Sequence, residues 1–147
     1  MPASEGGYPG IKERILATGQ ESEVMVLDAD RIRCREVCAL LRRLDYRATP
    51  LHTLADLERR LPGLQAGVVL LDLDTVPVDN HFFRDLKKRH RGICILGVSS
   101  LPYHPGLEEA MGSHIYACLA KPLDPEELGY WLRSIRENSW ESPPGSP

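Results

Sequence analysis

The sequence predicts an α/β domain, a doubly wound (βα)5 parallel sheet with strand order 2-1-3-4-5. Three observations carry that prediction. Five strand-like segments alternate with five helix-like ones, the pattern of a parallel sheet covered on both faces. Val24–Leu27, Val68–Leu71 and Ile93–Val98 are apolar runs without polar alternation, as expected of strands buried on both sides. Right-handed crossovers then leave few topologies, and this order puts strands 1, 3 and 4, the most apolar, in the middle.

The 147 residues suffice for one domain with a real core. A composition 42% hydrophobic and 27% charged is that of a globular chain, not a disordered or fibrous one. A net charge of −3 implies no general attraction to nucleic acid. No apolar run approaches the ~20 residues that span a bilayer, and no signal peptide is expected. None of the four cysteines forms a CxxC pair, so a reduced, cytoplasmic protein is expected.

Residues 1–21, rich in Gly, Pro, Ser and Glu, read as a flexible leader, with at most a helical turn over Ile11–Leu16. The domain is expected over 22–138 and a flexible tail, containing Trp140, over 139–147. After the first strand comes Asp28-Ala29-Asp30, with Asp30 placed to cap a helix. Cys34, Val37, Cys38, Leu41 and Leu44 form that helix's apolar face, and five arginines lie mostly around the other. Cys34 and Cys38 could be half a metal site, but no His or further Cys stands at ligand spacing, so both read as core residues.

Tyr46–Leu51 is a weak strand interrupted by Pro50. Thr53 caps a short helix bearing Leu54, Leu57 and Leu61, which Pro62-Gly63 ends. The central strand, 67–71, runs into Asp72 and a loop over 72–79. The third helix turns Phe82, Phe83 and Leu86 inward, and Arg84, Lys87, Lys88 and Arg89 onto a solvated face. The fourth strand ends in Ser99-Ser100. Two prolines and a glycine force a loop over 101–106, leaving only Leu107–Met111 for a helix. His104 reads as a surface residue of this loop, and His114 has no evident partner. Ile115–Ala120 is the fifth strand and runs into Lys121-Pro122. Asp124 or Pro125 starts the last helix, which buries Leu128, Trp131, Leu132 and Ile135.

In this topology the carboxyl ends of the strands form the rim where ligands bind. The rim gathers Asp28, Asp30, Asp72, Ser99 and Lys121. Neighbouring acids can hold a hard cation such as Mg²⁺. A central carboxylate can attack phosphorus, a cation can offset the charge developing in transfer, and a hydroxyl and an ammonium can each take another oxygen.

With those residues the chain resembles, over 22–138, the receiver domain of two-component response regulators, a flavodoxin-like fold. Asp28 after strand 1, Asp72 after strand 3, Ser99 after strand 4 and Lys121-Pro122 after strand 5 carry the resemblance, and Asp79-Asn80 matches the Asp-Gly that opens the third helix. The resemblance implies that Asp72 accepts a phosphoryl group from a histidine kinase, a phosphotransfer protein or a small phosphodonor. Asp28 and Asp72, with Asp30 as a further candidate, would hold Mg²⁺. Ser99 would be the switch hydroxyl, and Lys121 would pair with Asp72 and then with the phosphate. The chain would be a cytoplasmic signalling switch rather than a turnover enzyme, with no direct nucleic-acid or membrane binding. It would speak to a downstream protein through the face of helix 4, strand 5 and helix 5, a face through which it could also form a homodimer.

Four departures stand out. Ala29 replaces the second acid after strand 1. The loop proline is displaced to Pro77, with Asp74 an extra acid nearby. Cys118 holds the position of the aromatic switch, with Tyr116 two residues earlier. The loop 101–106 shortens helix 4. Ala29 and the short helix also suit a degenerate receiver, an interaction module that works without phosphorylation. Asp28-Ala29-Asp30 and Asp72-Leu73-Asp74 resemble the opening of haloacid-dehalogenase-type phosphatases as well. Too little chain follows Asp72 for that fold, and after Asp28 the later acidic pair is missing.

Overall fold

The computed structural model describes residues 23–102 and 104–138. The expectations for the leader, the tail and Trp140 lie outside the described residues. The strands are β1 (Glu23–Leu27), β2 (Arg47–Leu51), β3 (Gly67–Asp72), β4 (Ile93–Ser99) and β5 (Ile115–Ala120). Between and after them run α1 (Arg31–Arg43), α2 (Leu54–Arg60), α3 (Asn80–Arg89), α4 (Glu108–Ser113) and α5 (Pro125–Asn138). All strand pairs are parallel, in the order β2-β1-β3-β4-β5.

The unbroken apolar runs now have their reason. Successive side chains of a strand point to opposite faces. Met25, Leu27, Val69 and Leu71 enter one core under α2, α3 and α4, which contribute Leu57, Phe83 and Ala110. Val24, Val26, Val68 and Leu70 enter a second core under α1 and α5, with Cys34, Cys38, Leu128 and Leu132. Cys34 and Cys38 are therefore core residues, and burial pushes the Cys34 thiol up to about 12. Each fully buried leucine, such as Leu71, contributes about 2 kcal/mol of transfer free energy.

Pro50 is tolerated because β2 is an edge strand that pairs only with β1. Thr53 and Asp56 form a reciprocal capping box that starts α2. Asp79 caps α3 by accepting from the Phe82 N–H at 2.9 Å. Trp131 is half-buried and packs edge-on to Tyr116 rather than entering the core fully.

Helix α4 is six residues long and has no side-chain cap of its own. Its Ala110 N–H donates instead to Asn80 Oδ1 on α3, at 3.0 Å. Arg84 and Glu109 add an ion pair between the same two helices at 2.5 Å. The basic face of α3 is thus partly paired: Arg89 meets Asp85 at 2.8 Å and Glu58 at 3.2 Å. His114 finds Glu109, 3.2 Å away. No described helix is long and apolar enough to cross a membrane.

Candidate functional site

Strand register builds the site. Leu27 pairs with Leu71, so Asp28 and Asp72 leave adjacent strands side by side. Asp72 pairs with Val98 and Ser99 with Ala120, which brings Ser99 and Lys121 to the same rim. Asp28, Asp72 and Ser99 are all buried, at 3%, 3% and 2% exposure, so each polar atom needs a partner. The Lys121–Pro122 peptide is cis.

The two oxygens of Asp72 are held differently: Oδ2 accepts hydrogen bonds, whereas Oδ1 makes none and has only an ion-pair neighbour. The Lys121 ammonium stands 2.6 Å from Oδ1. Oδ2 accepts from the Thr75 hydroxyl at 2.5 Å, from the Thr75 N–H at 3.0 Å, and from Arg33 Nη2 at 3.3 Å. Lys121 also reaches Asp74 Oδ2, 2.8 Å away. Burial works against the Lys121 charge, but the two carboxylates outweigh it and hold its pKa above the ordinary lysine value. Burial would likewise raise the Asp74 carboxyl, yet Lys121 and the Ser100 N–H hold it well below the usual carboxylate range.

On the β1 side, Arg33 lies across the two acids. Its Nε donates to Asp28 Oδ2 at 2.7 Å and its Nη2 to Asp28 Oδ1 at 3.0 Å, a forked pairing. The hydrogen bonds to Asp28, aided by the charges of Asp72 and Asp30, raise the Arg33 pKa further. Arg33 is one of the five arginines expected mostly around the polar face of α1. It sits in the first turn, whose side chains lean back toward the helix N-terminus and so over the rim. Asp30 is the α1 cap: it accepts from the Arg33 N–H at 3.0 Å, and its side chain is 44% exposed. Its second oxygen lies 3.5 Å from Arg33 Nη1, so Asp30 braces the arginine rather than joining Asp28 and Asp72.

On the β4 side, Ser99 is engaged as well. Its hydroxyl accepts from the Leu101 N–H at 2.9 Å. It has one proton to give among the Leu101 carbonyl at 3.0 Å, Asp74 Oδ1 at 3.3 Å and His104 Nε2. His104 was expected at the surface but is buried, 9% exposed, because the Pro-rich loop folds it back onto Ser99. Cys118 is exposed, and Tyr116 bonds Ser134 at 3.0 Å and packs on α5.

Three residues of the site were not singled out from sequence for it: Arg33, Thr75 and His104. Arg33 alone left a readable trace, a cation five residues after Asp28 in a chain that lacks the neighbouring acid at Ala29.

Mg²⁺, which the fold implies, does not fit this donor set. Ala29 offers no oxygen, Asp30 is turned to its cap, and Arg33 covers the gap between Asp28 and Asp72. Among the described residues no three carboxylate, imidazole or thiolate groups are arranged to hold an ion.

Solved structures match the whole fold. A CheY-like response regulator receiver domain from Methanospirillum hungatei matches with a TM-score of 0.68 at 13% identity, over 79% of this chain and 94% of that one. A protein described as pilus assembly-related, from Burkholderia pseudomallei, matches with a TM-score of 0.66 at 23% identity, over 80% of this chain and 92% of its own. Another described as a pilus assembly protein, from Burkholderia thailandensis, matches with a TM-score of 0.65 at 25% identity, over 78% and 98%. The chain has the receiver-domain fold. No protein-family model matches it, and no curated protein does.

Proposed function

We propose that the chain is a response-regulator receiver in which Asp72 accepts a phosphoryl group within a two-component phosphorelay. One observation carries this reading: a buried carboxylate ends the central strand with Lys121 on one oxygen and the Ser99 hydroxyl at the next strand end. In the transfer, Asp72 Oδ1 bonds to phosphorus as the donor's P–N or P–O bond breaks. Oδ1 is the oxygen to react, because its one partner is the long Lys121 side chain, which can follow the charge onto a phosphoryl oxygen. Oδ2 stays with Thr75. Ser99 then turns toward the phosphoryl group, and the change passes to α4, β5 and α5 as a population shift. The donor is a histidine kinase or phosphotransfer protein, the output is a protein contact, and the module is a cytoplasmic switch rather than a turnover enzyme.

The Arg33 bridge favours a second reading: a receiver held in one conformation, acting by protein contact without phosphorylation. Intact mass after incubation with a small acyl-phosphate donor separates the two. A single phosphate adduct that Asp72→Asn abolishes supports the acceptor. No adduct at any Mg²⁺ concentration leaves the interaction module. Steady phosphate release from simple esters would overturn both in favour of a phosphatase.

A further inference from the structure

We propose that Arg33 is the resident cation of this pocket, standing where a divalent ion would bridge Asp28 and Asp72, so that the pocket is built to work without a bound metal. This deepens the receiver reading and rests on it for the role of Asp72.

The argument is one of donor capacity. A small hard cation needs several oxygens in near-octahedral array, and each must have a lone pair to give. Asp28 is already largely committed. Its Oδ1 accepts from the Asp30 N–H at 2.8 Å and from Arg33 at 3.0 Å, with the Thr75 hydroxyl 3.3 Å away. Its Oδ2 accepts the Arg33 Nε–H at 2.7 Å. Asp72 Oδ2 meets Thr75 and Arg33, and Oδ1 faces Lys121. Three of the four carboxylate oxygens accept hydrogen bonds, Asp72 Oδ1 lies against the Lys121 ammonium without one, and the Arg33 guanidinium occupies the space between the two acids.

Charge and shape agree with donor capacity. Three acids, Asp28, Asp72 and Asp74, converge with two cations, Arg33 and Lys121. Without Arg33, Asp28 would have no cation beside it and would face Asp72 across the gap, with Lys121 alone left to balance three acids. A guanidinium is suited to the place, because its planar fork spans two carboxylates while keeping its charge at any working pH. Helix α1 fixes it there: Asp30 caps the helix on the Arg33 N–H and sets its second carboxylate oxygen beside the Arg33 side chain. At residue 29, where a further ligand could come from the backbone turn, there is a methyl group.

The test is calorimetric titration of the full chain with Mg²⁺ and with Mn²⁺, beside Arg33→Gln and the double variant Ala29→Asp, Arg33→Ala. The wild type is expected to give no saturable binding. The double variant, which empties the gap and supplies a carboxylate, is expected to bind with a dissociation constant at least about tenfold lower than any wild-type binding. Saturable wild-type binding of either ion would overturn the proposal. So would a folded double variant that binds no better than wild type, since Arg33 would then not be what fills the place. The wild-type titration decides the matter even if a variant fails to fold. The mass experiment is separate: loss of the adduct in Asp72→Asn, or no adduct at all, judges the acceptor and leaves the cation result standing.

Discussion

The two flanks of Asp72 solve different problems with different chemistry. On the β1 flank, two carboxylates face each other and an arginine from α1 neutralises them. On the β4 flank, a neutral hydroxyl is held by an imidazole from the following loop. One flank is held by a guanidinium between two carboxylates and the other by hydrogen bonds around a hydroxyl, and Lys121 stands between them on Asp72 and Asp74. The difference teaches that the strand ends supply the fixed frame, while what gives each flank its character comes from the elements that follow the strands.

The largest contrast should come from changing the sign of charge on the β1 flank. Arg33→Ala leaves two buried acids short of a cation and should lower stability by about 2 kcal/mol, less than a fully buried pair because the arginine is partly exposed. Asp72→Asn brings the acids to two against two cations, and should leave stability within about 1 kcal/mol of wild type or raise it. Urea denaturation of both variants checks the pair. Equal losses would mean that the β1 flank is not governed by charge.

His104→Ala probes the other flank. It removes a buried partner of Ser99 and should cost about 1.5 kcal/mol, with little change when salt is added, since the contact is not an ion pair of consequence at 3.9 Å from Asp74. The Arg33 variant, by contrast, should narrow its gap to wild type at high salt. Denaturation in low and high salt distinguishes the flanks.

Asn80→Ala takes away the acceptor for α4 and should cost about 1 kcal/mol, as loss of a helix cap does. Faster amide exchange confined to α4 would locate the loss.

The smallest effect is in pH. The Asp74 pKa is held down by Lys121 and Ser100 against the opposing effect of burial, so its contribution is present above the ordinary carboxylate pKa and is lost as pH falls through the lower folded value. Asp74→Asn should therefore lower stability slightly near neutrality and flatten the acid limb of the urea-denaturation profile, the gap to wild type closing as pH falls.

The frame was legible because its signals are local. Val68–Leu71 is apolar on both faces, and the residue that ends it must emerge at the rim whatever the loops do. Parallel register then aligned Asp28, Asp72, Ser99 and Lys121. His104 left no trace and Arg33 only its spacing from Asp28, because a charge or a ring in the sequence does not say where its side chain is aimed. Arg33 looked like one of five arginines on a wet face. His104 looked like loop surface until the prolines around it were seen to turn it inward. The start of α4 was hidden for a related reason: Asn80, thirty residues earlier, supplies its cap.

That borrowed cap makes α4 a dependent element. With six residues it is too short to hold its shape alone. Its first turn is tied to Asn80, at the very start of α3, and Glu109 is tied to Arg84 one turn further on. A shift of the opening turn of α3 must either carry α4 along or leave the Ala110 N–H without its acceptor. The two helices are therefore tied at two points, and the place of α4 depends on where the opening turn of α3, at the end of the loop after Asp72, stands.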